Sequence, residues 1–92
     1  MKLTLISLER CFKSAIENSA KYIAVKINTR GSSAEEIIIN PKENIISKLN
    51  YYKKAYTDDL VLKSYDGIRI TGITYGDTFE EIEKDLIGKN LR

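Results

Sequence analysis

The chain has 92 residues, a formal net charge of +2 and one cysteine, which argues against a disulfide-stapled secreted domain and for a reducing, cytoplasmic compartment. Hydrophobic residues at 42% against charged residues at 30% exclude intrinsic disorder. No apolar run reaches the ~20 residues that a membrane span needs, and one domain of this length buries only roughly 60 to 70% of the surface its unfolded chain exposes.

The opening MKLTLISLERCF begins like a leader, but Glu9 and Arg10 interrupt its apolar stretch, so it reads as structure. Leu5, Leu8, Phe12, Ala15 and Ile16 recur at three- and four-residue spacings and predict a helix over 4–19 with Thr4 as its N-cap. In YIAVKINT, Ile23, Val25 and Ile27 alternate with Tyr22, Ala24 and Lys26, the period of a half-buried strand. RGSS supplies a turn before EEIIIN, and the two runs make a hairpin.

Asn40 and Pro41, with Glu43 in the capping-box position, predict a second helix starting at Pro41. Ile45, Leu49, Tyr52 and Tyr56 form its inner stripe, and Ile46 widens it. LVLKSY, the Asp66-Gly67 pair and IRITGITY then predict a second hairpin. Its last strand changes phase between Ile70 and Ile73, marking Gly72 as a β-bulge. Thr78 and Glu81 predict another capping box, with Phe79, Ile82 and Leu86 facing inward and Gly88 as the stop.

The expected fold is α+β in the order α-ββα-ββα, a single domain with an N-terminal helix over 4–19 and ββα units over 21–56 and 59–88. Its sheet is four-stranded and mainly antiparallel, with the helices on one face and the other face open to water or a partner. Aligning Ile23–Lys26 with Leu60–Lys63 also aligns Asn40 with Asp77, and Ile45 and Leu49 with Ile82 and Leu86. Two ββα units built to the same needs, or a duplication, both produce that match.

The chain has no histidine, which excludes Ser-His-Asp, Cys-His and His-metal chemistry. Cys11 borders the apolar stripe and reads as an inert packed thiol despite Arg10 and Lys13 nearby. The pairs Glu35-Glu36, Asp58-Asp59 and Glu80-Glu81 diverge on any regular element. No phosphate-cradling glycine motif is present, and neither a metal nor a cofactor is expected; the reading is non-enzymatic.

Charge layout leaves two candidate surfaces. Asp77, Glu80, Glu81, Glu83 and Asp85 against the single Lys84 give the last helix an acidic outer surface suited to a basic groove on another protein. Lys26, Arg30, Lys48, Lys54, Lys63 and Arg69, with Tyr22 and Tyr65, compose an alternative nucleic-acid surface. In KLNYYKKAY, Tyr52 and Tyr56 belong to the inner stripe, while Lys48, Tyr51 and Lys54 project outward as on any soluble helix. Exposed strand edges permit a monomer or a homodimer.

This build, a short chain rich in Ile, Lys, Asn and Tyr with two hairpins, three helices and no active-site set, resembles small accessory proteins of phages and prophages of low-GC Gram-positive bacteria. That resemblance implies a stoichiometric binder of a host protein or complex, in a group that includes anti-CRISPR inhibitors of host defence. Many of that group are strongly acidic DNA mimics; the charge of +2 here departs from them.

Overall fold

The computed structural model describes residues 3–87. Helix α1 (Leu5–Glu17) is capped as expected: the Ser7 N–H donates to Thr4 Oγ1 at 3.2 Å and the Thr4 N–H returns to Ser7 Oγ at 3.3 Å. Serine thus plays the part that Glu or Gln usually takes in a capping box. The helix buries Leu8, Phe12 and Ala15 and ends in a Schellman turn, with Ser19 N–H to Ile16 O (3.1 Å) and Ala20 N–H to Ala15 O (2.9 Å). Ser19 occupies the left-handed position of that turn (φ +53°), where glycine is usual.

Strands β1 (Tyr22–Thr29), β2 (Glu35–Pro41) and β3 (Ile68–Gly76) form an antiparallel sheet in the order β2-β1-β3. The longest alternating stretch of the sequence is therefore the central strand. The phase change read around Gly72 is a bulge: Lys26 opposes Gly72 and Ile27 opposes Ile70, leaving Thr71 as the extra residue.

Three strands are present among the described residues instead of four. LVLKSY contributes only the isolated bridges Tyr56–Leu62 and Val61–Arg69. The Thr57–Leu60 turn, with Leu60 fully buried at φ +64°, uses up one end of that run, and a turn at Lys63–Ser64 uses the other. The chain reverses at Tyr65–Ile68, where Ile68 N–H reaches Tyr65 O at 3.3 Å. Neither Asp66 nor Gly67 has the positive φ of a primed hairpin turn.

The second helix also starts later than the caps suggested. Pro41 closes β2, a 3₁₀ turn spans Lys42–Asn44, and helix α2 runs Ile45–Ala55. Ile45, Leu49, Tyr52 and Tyr56 are buried as predicted, but Ile46 is 64% exposed.

The helices do not share one face. Helices α1 and α2 cover Ile23, Val25, Ile27 and Ile70, with Phe12 meeting Tyr52 edge-on at 5.9 Å between ring centroids. Helix α3 (Phe79–Ile87) lies on the opposite face, where Ile82 and Leu86 pack on Ala24 beside Tyr22, Ile37 and Ile39. Alanine at position 24 and glycine at 72 and 76 let that helix approach closely; a Cβ on Gly72 would meet Leu86 Cδ2 at 3.0 Å. Because α2 and α3 occupy opposite layers, the two ββα units predicted from the sequence are not equivalent in space. The stop expected at Gly88 lies outside the described residues.

Candidate functional site

Short links set the position of α3. After β3 the chain has only Asp77 and Thr78 before the helix, so its start must sit at the sheet's end near Lys21 and Tyr22. The Lys21 N–H donates to Asp77 Oδ1 at 3.1 Å, the Glu81 N–H donates to Thr78 Oγ1 at 3.1 Å, and the Asp77 N–H donates to Glu81 Oε1 at 2.8 Å. The capping box predicted at Thr78 and Glu81 thus closes on Asp77 and ties the helix to the start of β1. Farther along, the Thr74 hydroxyl donates to Asp85 Oδ2 at 2.9 Å.

Asp77, Glu81 and Asp85 are thus committed to holding α3 in place. Glu80 and Glu83 are exposed and make no hydrogen bond or ion pair among the described residues. Glu80 lies in the helix's first turn, where its charge is favoured by the helix dipole.

Phe79 departs from the sequence reading. It is 53% exposed instead of buried, and its ring leans on Tyr22 with 4.9 Å between centroids and 57° between planes. The first residue of a helix that starts at the sheet's end overhangs the core. Tyr22, Asp77, Thr78, Phe79 and Glu80 line a shallow depression of about 310 Å³. The same Tyr22 borders a second one of about 300 Å³ beside Lys21, Pro41, Lys42 and Glu43. An exposed aromatic fringed by carboxylates offers apolar area at its centre and directional charge at its rim.

The six basic candidates are not brought together. Lys26 is turned inward with 13% of its side chain exposed: Nζ donates to Leu86 O at 3.1 Å and lies 3.5 Å from Glu35 Oε1. Leu86 lies in the last described turn of α3, so Lys26 fastens that part of the helix to the sheet. Arg30 pairs with Asp66 at 2.8 Å. Lys48 sits over the Tyr51 and Tyr52 rings, 5.2 and 5.7 Å from their centroids. Lys48 and Lys54 ride on α2, Lys63 sits in the turn between α2 and β3, and Arg69 is on β3, so they are not gathered on one element.

Elsewhere, Glu9 on α1 joins the two helices of the larger layer through Lys53 of α2 (3.2 Å) and pairs with Lys13 within its own helix (3.4 Å). Lys53 first and then Lys13 hold its carboxyl below the usual range. Cys11 packs against the main core, and burial pushes its thiol up to about 11. Among the described residues no three metal-ligating side chains converge, and no helix is long and apolar enough to cross a membrane. An apolar notch of about 200 Å³ opens between the end of α1 and the start of α2, beside Ile16 and Ile46. No family model, no curated protein and no solved structure matches this chain.

Proposed function

We propose that this chain is a non-catalytic, stoichiometric binder of another protein, docking the outer face of α3 onto a basic surface of its target. The observation that carries this reading is the half-exposed Phe79 ring, propped on Tyr22 and bordered by Asp77 and Glu80, with the exposed Glu83 one turn farther along the helix. Interface energy concentrates in aromatic anchors surrounded by a polar rim, and a cluster of carboxylates steers encounter with a positive patch. The similarity of build to phage accessory proteins supports a bacterial host protein as the target. Inhibition of a defence system, of the anti-CRISPR kind, belongs to the same reading.

The test places a photo-crosslinking amino acid at Lys84 on α3, and as a control at Lys54 on α2, in cells that express the chain. The expected result is one discrete partner captured from position 84 and not from position 54. With that partner purified, Phe79→Ala weakens binding about thirtyfold, as loss of a hot spot of ~2 kcal/mol does. Glu80→Lys combined with Glu83→Lys slows association most at low salt. A partner whose affinity ignores all three substitutions refutes the assignment of this face.

A further inference from the structure

We propose that the protein dimerises by pairing the β2 strands of two copies antiparallel across a two-fold axis, joining two three-stranded sheets into one of six strands. The two outer edges of the sheet are treated differently. On the β3 side, the bulge at Thr71–Gly72 interrupts the register, and Leu60–Leu62 covers the strand's first residues through Ile70 N–H to Leu60 O (3.0 Å) and Leu62 N–H to Ile68 O (2.9 Å). Bulging and covering are the usual means of keeping an edge strand from pairing with another chain.

Strand β2 has neither protection among the described residues. It runs seven residues in unbroken register with β1, carries no lysine, and meets a proline only at its last position. Its centre is Ile37, Ile38 and Ile39, each half-buried. Ile37 and Ile39 lie on the α3 side and Ile38 on the α1/α2 side, so apolar surface reaches the edge on both faces.

The occupant follows from the strand's own sequence. A two-fold axis perpendicular to the sheet keeps each face continuous, so only residues of the same face can pair. Centred on Ile38, the arrangement sets Ile37 opposite Ile39 of the second copy and Ile38 opposite its own counterpart. Glu36 then faces Asn40 and Glu35 faces Pro41, and no carboxylate opposes another. Centring on Ile37 instead would press Glu35 and Glu36 onto isoleucines, and centring on Ile39 would pair only residues 37–41, because the strand ends at Pro41. The strand is complementary to itself in one register. Because the axis preserves faces, both α3 helices stand on the same side of the joined sheet.

The experiment uses the full chain in a Cys11→Ala background. Ile38→Cys is expected to oxidise to a disulfide-linked dimer, because the new thiols meet at the axis, whereas Glu36→Cys stays reduced. The parent chain sediments as a dimer, and Ile37→Lys with Ile39→Lys, which sets like charges opposite one another, raises its dissociation constant about tenfold or more. A parent chain that sediments as a monomer throughout the micromolar range overturns the proposal. So does a dimer that crosslinks through position 36 and not 38.

Discussion

Replacing Lys26 by methionine separates two readings of one side chain. In the fold, Lys26 Nζ holds the Leu86 carbonyl at 3.1 Å and lies 3.5 Å from Glu35. A hydrogen bond from a charged donor contributes about 1.5–3 kcal/mol, and a partly exposed ion pair adds between about 0 and 1 kcal/mol. Methionine keeps the aliphatic stem that lies beside Gly72 while removing both, so the expected cost is about 2 kcal/mol. In a domain of this size that lowers Tm by roughly 8–16 °C. Hydrogen exchange should localise the loss to α3, a helix of nine residues that is too short to persist undocked. A nucleic-acid contact predicts the opposite: unchanged Tm with weaker retention of DNA or RNA at low salt. A loss of stability below about 0.5 kcal/mol, within the range of ordinary surface substitutions, would refute the assignment of Lys26 as the fastening of α3.

Ser19→Gly should stabilise the fold by about 0.5–1 kcal/mol by relieving the left-handed strain at φ +53°, read as a higher urea midpoint with an unchanged slope. The Cys11 thiol, raised to about 11 by burial, should be alkylated about a hundredfold more slowly at pH 8 than an unperturbed thiol, with the difference lost in denaturant. Burial first, then the charges of Tyr56 and Tyr51, push the Tyr52 phenol up to about 12. The unfolded chain therefore releases that proton earlier, and the associated stability, complete below pH 10, is lost as pH rises toward 12; tyrosinate absorbance and unfolding should rise together.

Local chemistry was readable where one residue determines it. Thr4 caps α1, Gly72 marks the bulge, and Ile45, Leu49, Tyr52 and Tyr56 form the buried stripe of α2, because caps, bulges and helical periodicity depend on near neighbours. The side of the sheet on which α3 packs did not follow from its pattern. Ile82 and Leu86 specify that the helix has an inner face but not which layer receives it. Ala24, read as one of the outward-facing residues of β1, is the seat of that helix. LVLKSY carried strand composition, yet buried Leu60 turns into the left-handed region and ends the run, a tertiary override of propensity. For the site, the acidic residues of α3 were legible, whereas the overhang of Phe79 depended on the two-residue link. The edge of β2 had a signal in its three consecutive isoleucines, since an uninterrupted apolar run in a strand means two covered faces.

The central placement of β1 also governs the order in which the chain can be completed during synthesis. Its neighbour β2 follows within a few residues, but its other neighbour begins only at Ile68, so a ribosome must extend most of the chain before the middle strand gains its second flank. Until then the emerging hairpin shows open hydrogen-bonding groups on both sides, a template for unwanted association. Pausing of translation between residues 42 and 68 would lengthen that interval, and the yield of soluble protein should fall accordingly.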